Sequence, residues 1–236
     1  MQNEEQAHRF LPIVDSRKMH ITGNIKLDQT PERIDANFWR DKLSVPVSAI
    51  TLSCTHAPEE ELLLDLLPLQ EVFCFLAPRH PERFDEVAAI LKAKSIPFFR
   101  WSRLEERRGG EKVLLVDVMG RLPICYTLSR LAIVAGSFAP HVGGHNLFEP
   151  CLYGIPVFFG PHVFAQKELA TKVLAAQAGQ QMPASSLQFA IQSFFSNRSL
   201  EDATRSAVRS LVESGRGSVT KTMQLIEGIC SLQRKV

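Results

Sequence analysis

Six short apolar runs, separated by segments with helical spacing, constrain the fold of this chain more than any other feature. The runs are V-S-A-I-T-L-S-C at 47–54, V-F-C-F-L-A at 72–77, P-F-F-R-W at 97–101, V-L-L-V-D at 113–117, L-A-I-V-A-G at 131–136 and I-P-V-F-F-G at 155–160. Continuous apolar runs are typical of strands that are buried on both faces. Helices are predicted between and after them at 58–67, 81–95, 121–129, 145–153 and 164–175. This alternation predicts an α/β fold with a doubly wound, Rossmann-like parallel sheet.

The two ends of the chain do not follow this alternation. Residues 1–44 contain a helical pattern, E-E-Q-A-H-R-F-L, a strand-like K-M-H-I-T and a stretch led by Pro31, and they are predicted to be the tail of an upstream domain with a linker. Residues 45–215 are predicted to form the Rossmann-like domain. Gly215 and Gly217 predict a break before a closing helix at 216–236.

Composition excludes several classes of function. The 236 residues are 45% apolar and carry a net charge of +2, which gives no general electrostatic case for binding nucleic acid. Any anion site must therefore be local. The five cysteines form no C-x-x-C pair, which favours a reducing compartment. No window approaches the ~18 apolar residues of a membrane span, and the amino terminus lacks the pattern of a signal peptide, so we expect the chain to be soluble.

The loop after the fifth predicted strand is the strongest candidate for a binding site. Gly143 and Gly144 allow the backbone to approach an anion closely, and Asn146 is placed to cap the next helix. Glu149, one turn later, is an acceptor-only group that suits two neighbouring ribose hydroxyls. The spacing is equally compatible with a plain turn followed by a capping box of His145, Asn146 and Glu149.

Other strand ends offer fewer signals. Arg79 follows the second strand, where its guanidinium can fork onto a phosphate, although a surface ion pair with Glu82 is the alternative. For Asp117–Gly120 an ordinary connection is the favoured interpretation. His141 and His145 are four residues apart, but the glycine pair between them disfavours a helical metal site.

Several nucleotide motifs are absent, whereas a different set of motifs is present. No G-x-G-x-x-G follows the first strand, and neither a P-loop nor a G-x-S-x-G elbow occurs. The set G-G-H-N-L-F-E-P, G-I-P-V-F-F-G-P-H, A-P-R-H and D-V-M-G-R-L resembles the Kdo transferases. This family transfers 3-deoxy-D-manno-oct-2-ulosonic acid (Kdo) from CMP-Kdo to the lipid A precursor. The resemblance runs from residue 1 to roughly residue 175.

The resemblance implies the carboxyl-terminal, donor-binding half of an inverting GT-B glycosyltransferase of lipopolysaccharide biosynthesis. It implies no cofactor, no obligatory metal in the active site, and work at the cytoplasmic face of the bacterial inner membrane. Residues 1–26 would be the last helix and strand of the missing amino-terminal acceptor domain, through which the membrane is contacted. The family's catalytic base is a glutamate in that domain, so no catalytic residue is expected here, and this chain alone should bind donor without turning it over.

The donor-binding residues are assigned by the same resemblance. Pro78 and Arg79 would meet the phosphate or base region of CMP, Met119 and Gly120 the nucleotide, and Asn146–Glu149 the phosphate and ribose. With the two glycines of the loop after the fifth strand added, the residues expected to bind the donor are Pro78, Arg79, Met119, Gly120, Gly143, Gly144, His145, Asn146, Leu147, Phe148 and Glu149.

The residues alone do not exclude two other functions. One is a non-catalytic nucleotide-binding or interaction module, and the other is half of a UDP-sugar epimerase. Preference for cytidine over uridine nucleotides would separate them, because a scaffold binds neither nucleotide and an epimerase prefers UDP.

Overall fold

Seven parallel strands form one sheet in the computed structural model, which describes residues 1–2 and 4–233. The strands are β1 (Ala49–Thr55), β2 (Phe73–Pro78), β3 (Phe98–Arg100), β4 (Val113–Leu115), β5 (Leu131–Val134), β6 (Val157–Phe159) and β7 (Gly179–Gln181). They lie in the order β3-β4-β2-β1-β5-β6-β7. The six predicted strands are thereby confirmed, and β7 is an addition that the sequence did not predict.

The central strands are buried on both faces, as their apolar runs predict. Ile50 and Leu52 of β1 pack into one cluster of buried apolar side chains. Ala49 of β1 packs with Phe73 and Phe75 of β2 into a second cluster. Because successive residues of a strand point to opposite faces, the two clusters lie on the two sides of the sheet. The predicted doubly wound α/β fold is confirmed.

The described residues form ten α-helices. They are α1 (Glu4–Phe10), α2 (Ala36–Leu43), α3 (Glu59–Leu64), α4 (Phe84–Ala93), α5 (Leu122–Leu128), α6 (Phe148–Leu152), α7 (Lys167–Ala175), α8 (Leu187–Ser196), α9 (Arg198–Gly215) and α10 (Ser218–Gln233). The break predicted at Gly215 and Gly217 separates α9 from α10. None of the helices in this described part is long and apolar enough to cross a membrane.

The prediction of a strand at K-M-H-I-T, residues 18–22, is wrong. Ser16–Lys18 form a 3-10 turn, and the residues from Met19 to Thr22 have no regular structure. Asp15 accepts a 3.0 Å hydrogen bond from the backbone N–H of Arg17, and such local side-chain bonds favour a turn over an extended strand.

The chain divides into two compact units. One consists of Met1–Thr30 together with the described residues from Ser210 onward, and the other is Pro31–Arg209, which contains the whole sheet. The closing helix predicted at 216–236 corresponds to α10, and residues 234–236 lie outside the described part. The domain limits at residues 44 and 215 stay predictions.

The strand order creates a switch point between β1 and β5. The chain passes from β1 to β2, towards the β3 edge of the sheet. From β5 it passes to β6, towards the opposite, β7 edge. Loops diverge at such a point and leave a crevice at the carboxyl ends of the two strands, where open α/β sheets bind ligands. The two loops that meet at this switch point begin at His56 and at Gly136.

Candidate functional site

A buried carboxylate joins the two loops at the switch point. Glu59 accepts hydrogen bonds from the backbone N–H groups of His56 at 3.0 Å, Gly136 at 2.7 Å, Phe138 at 2.9 Å and Ala139 at 3.2 Å. Burial raises the pKa of Glu59, and the four N–H donors act against that rise. Glu59 thus fixes the loop after β1 against the loop after β5.

The same two loops bring together a pair of histidines. The Nε2 atoms of His56 and His145 lie 2.7 Å apart, and the two rings are nearly coplanar, with an angle of 8° between their planes and 5.0 Å between their centroids. This centroid separation matches the N–N distance plus the two ring radii, so the rings lie end to end and share an N–H···N hydrogen bond. A third imidazole, that of His80, lies 5.0 Å from His56 in an edge-to-face arrangement.

The histidine pair is held in the neutral form. Burial, together with the charges of His56, Arg79 and His80, lowers the pKa of His145 to about 4. Burial and the charge of His80 likewise lower the pKa of His56. One ring therefore donates its Nε2 proton and the other ring accepts it.

Two glycines pack too closely for any side chain. A Cβ on Gly136 would lie 2.6 Å from Cδ2 of His145, and a Cβ on Gly143 would lie 2.5 Å from the ring of Phe164. Both residues also have positive φ, of 70° and 88°. The loop therefore packs against His145 at Gly136 and against Phe164 at Gly143, and the positive φ of both residues favours glycine.

Backbone donors are left free in this loop. The N–H of Gly144 donates to the carbonyl of Gly136 at 2.8 Å and so cannot meet a ligand. Within residues 1–2 and 4–233, no acceptor is found for the N–H groups of Gly143, His145, Asn146 and Leu147. Unsatisfied amides that cluster in one loop form an anion-binding concavity.

The capping box does not form. Asn146 Oδ1 accepts a 3.0 Å hydrogen bond from the N–H of Phe148, but α6 begins at Phe148 with Leu147 as its N-cap, so the prediction that Asn146 caps this helix is wrong. Leu147 and Phe148 are buried, so only their backbone can face a ligand. The half-buried carboxylate of Glu149 has no hydrogen-bond partner among the described residues, and burial raises its pKa. Glu149 is thus free for another ligand.

Arg79 is also free. Its side chain is exposed, and no ion pair involves it in the part of the chain that is described. The predicted alternative partner, Glu82, lies 3.7 Å from His80 Nδ1 instead. The charges of both Glu149 and Arg79 influence the Cys54 thiol, whose pKa burial raises to about 12. The backbone N–H of Arg79 donates a 3.1 Å hydrogen bond to the carbonyl of Thr55, so Arg79 lies beside the end of β1, where the charge of Glu149 is also felt.

A small cavity of about 70 Å³ connects several of the predicted residues. It is lined by the ends of three strands and their loops, with Cys54, Pro78, Arg79, Met119 and Gly120 among the lining residues. It can accept only one end of a ligand. Concave surfaces of 640 and 770 Å³ lie elsewhere, beside β3 and between α3 and α4, but they lack the convergent strand ends and free amides of the switch point.

The loop that carries Met119 and Gly120 is anchored by Asp117. Burial would raise the pKa of Asp117, but hydrogen bonds from Ser102 and Arg100 outweigh it and hold the pKa below its ordinary value. Asp117 itself is thus a structural residue, in line with the interpretation of this turn as an ordinary connection.

Four residues near these loops were not predicted as site residues. Cys54 has a φ of 59°, which is uncommon outside glycine and turns its side chain into the cavity. Arg121 lines the same cavity, and its buried Nε has no hydrogen-bond partner in the described part of the chain. His56 and His80 each follow the end of a strand, which is the signal that would have identified them.

No family model matches the chain. It is 34% identical to a 3-deoxy-D-manno-octulosonic acid transferase of Chlamydophila psittaci over 186 residues, which are 76% of this chain and 43% of the relative. It is 30% identical to the enzyme of the same name from Haemophilus influenzae over 224 residues, which are 89% of this chain and 51% of the relative. The chain spans about half the length of the curated relatives it matches.

A solved structure agrees with these relatives. The C-terminal CMP-Kdo binding domain of WaaA from Acinetobacter baumannii superposes with a TM-score of 0.70 at 26% identity, over 75% of this chain and 95% of that domain. The expected resemblance is thereby confirmed. The chain belongs to the 3-deoxy-D-manno-octulosonic acid transferase family and is similar in structure to the C-terminal CMP-Kdo binding domain of WaaA.

Proposed function

We propose that this chain is the donor-binding part of an inverting glycosyltransferase that transfers Kdo from CMP-Kdo to the lipid A precursor in lipopolysaccharide synthesis. The observation that carries this proposal is that two oppositely charged groups without a partner in the described chain, Arg79 and Glu149, both act on the end of β1: the backbone N–H of Arg79 donates to the carbonyl of Thr55 at 3.1 Å, and both charges influence Cys54. A nucleotide sugar needs both charges, a cation for its phosphate and an acceptor for its ribose hydroxyls. The function of the Kdo transferase relatives and the CMP-Kdo binding domain from Acinetobacter baumannii support CMP-Kdo as the donor.

The proposed contacts follow from what each group has left to offer. Arg79 forks onto the donor phosphate, which also accepts hydrogen bonds from the free N–H groups of Gly143 and of the segment His145–Leu147. Glu149 accepts hydrogen bonds from the ribose. Pro78, Met119 and Gly120 line the cavity that receives the cytidine end.

In the transfer, an acceptor hydroxyl attacks the anomeric carbon of Kdo while the bond from that carbon to the CMP oxygen breaks. Negative charge then grows on the departing phosphate, where Arg79 and the free amides stabilise it more strongly than in the ground state. Because the chain spans about half of its relatives, the acceptor site, the base that removes the hydroxyl proton and the contact with the cytoplasmic face of the inner membrane are assigned to another part of the enzyme. On this proposal the chain by itself binds donor without turnover.

The test is calorimetric titration of the intact chain with CMP, UMP and UDP. We expect saturable one-to-one binding of CMP and at least tenfold weaker binding of both uridine nucleotides. Equal affinity for cytidine and uridine nucleotides would contradict the proposed donor, and preference for UDP would favour the epimerase alternative. If the chain binds none of these nucleotides, the proposed function is contradicted and an interaction module is favoured.

A further inference from the structure

None of the donor contacts proposed above involves the imidazole rings of the histidine pair at the switch point. We propose that the coplanar pair His56–His145 is a proton-coupled phosphate contact, which takes up one proton from solvent when the nucleotide phosphate binds. This inference rests on the proposed function, since it assumes that the bound anion is the phosphate of a cytidine nucleotide. It concerns how that anion is recognised.

The geometry of the pair determines how many protons it carries. With both Nε2 atoms engaged in one N–H···N bond of 2.7 Å, the neutral pair has one bridging proton and one further proton on the Nδ1 of the accepting ring. The Nδ1 of the donating ring is then bare. A proton taken up at that atom gives a cation with an N–H donor at each outer end.

The outer nitrogens are not fully buried. In the part of the chain that the structure describes, the buried side-chain nitrogen and oxygen atoms without a partner are Thr55 Oγ1, Arg107 Nε and Arg121 Nε. The Nδ1 atoms of His56 and His145 also have no hydrogen-bond partner among the described residues. Since they are not in this set of buried atoms, they are not fully buried. Both atoms can therefore receive a proton and then donate to a ligand oxygen.

The charges around the pair keep it neutral until an anion arrives. Arg79 and His80 on the loop after β2 and Arg83 beyond it oppose a further positive charge on His56, and Glu60 of α3 favours it. Arg83 is bound to Glu60 at 2.6 Å, so these two largely cancel. His145 faces the same Arg79 and His80, and burial acts in the same direction.

A bound phosphate reverses this balance. Its negative charge offsets that of Arg79 and favours protonation of the adjacent imidazole pair. The free amides of Gly143 and His145 belong to the loop that carries one ring of the pair, so an anion on these amides lies next to the pair. Affinity for the phosphate and protonation of the pair must then strengthen each other.

The experiment is calorimetric titration of the intact chain with CMP at pH 7, in Pipes and in Tris, which differ in ionisation enthalpy. We expect uptake of between half a proton and one proton per CMP, and affinity that falls by up to about tenfold per pH unit between pH 7 and pH 8. Titration with cytidine, which lacks the phosphate, should show no uptake. His56→Gln and His145→Asn should each abolish the uptake, and His20→Gln, which changes an exposed histidine of the other unit, should preserve it.

A second measurement follows the imidazoles directly. The Cε1–H signals of the two histidines, assigned through the same variants, should titrate at a higher pH with CMP bound than without it. Unchanged titration, or proton uptake that persists in both variants and so belongs to the phosphate itself, would overturn the inference while CMP binding upholds the proposed function. If the chain binds no CMP, both proposals fail.

Discussion

Glu59 accepts a 2.7 Å hydrogen bond from the backbone N–H of Gly136, a residue 77 positions further along the chain. This bond joins the two loops at the switch point, and the same carboxylate binds two more buried N–H groups of the second loop. The shape of the site therefore depends on one side chain that touches no ligand in our proposal.

Replacing Glu59 with alanine should destabilise the chain by about 3 to 5 kcal/mol, because three buried N–H donors would lose their acceptor. Glu59→Gln should cost less, since the amide keeps one acceptor oxygen. Urea denaturation measures both effects. Glu61→Ala, an exposed change on the same helix, is the matched control and should lie within about 0.5 kcal/mol of the parent chain. A loss below 1 kcal/mol for Glu59→Ala would mean that the loops hold without this carboxylate.

Gly136→Ala tests whether position 136 requires glycine because of the close contact with His145 or only because of its positive φ. Gly154 is the matched control, because its φ of 73° is nearly the same as the 70° of Gly136 while no atom lies within 4 Å of its added Cβ. We expect Gly154→Ala to cost about 1 kcal/mol from strain alone. Gly136→Ala should cost a further 1 to 3 kcal/mol because its methyl group collides with His145. Equal losses of stability in the two variants would show that the ring moves aside freely.

The sequence predicted the central strands because their two buried faces leave a continuous apolar run. It did not predict β7, whose residues Gly179, Gln180 and Gln181 carry no such run and form a strand only by pairing with β6. The contact between His56 and His145 was equally hidden, since it depends on β1 lying beside β5. Local spacing identifies strand ends, but strand order decides which ends meet.

Arg79→Ala should weaken CMP binding by about 10- to 100-fold, the usual effect of losing a hydrogen-bonded charge. The thermal midpoint should not change, because no ion pair of Arg79 is found in the described chain. Calorimetry and thermal melting together test this combination. Arg103→Ala removes another exposed guanidinium, paired only loosely with Glu106 at 3.6 Å, and should leave CMP affinity within about twofold of the parent value. If Arg79→Ala binds CMP as tightly as the parent chain, another group holds the phosphate.

Glu149→Gln should remove the chain's ability to distinguish ribose from deoxyribose. A carboxylate can accept hydrogen bonds from both the 2′- and 3′-hydroxyls, whereas an amide has one acceptor oxygen and presents donors at its other end. We expect the parent chain to bind CMP about tenfold more tightly than 2′-deoxy-CMP, and this ratio to fall towards one in Glu149→Gln. Arg79→Ala should weaken both ligands equally and keep the ratio, which separates ribose recognition from phosphate recognition.

The same discrimination should depend on pH. Burial raises the pKa of Glu149, so as the pH falls its carboxylate takes up a proton earlier than an exposed glutamate whose pKa is 4.5. The protonated group loses acceptor capacity, and the CMP to 2′-deoxy-CMP ratio should therefore decrease as the pH falls towards that raised pKa. Glu168→Gln, which alters a half-buried carboxylate that is paired with Lys172, should leave the ratio and its pH dependence as they are. A ratio that is constant over this pH range in the parent chain, or unaffected by Glu149→Gln, would place the ribose away from Glu149.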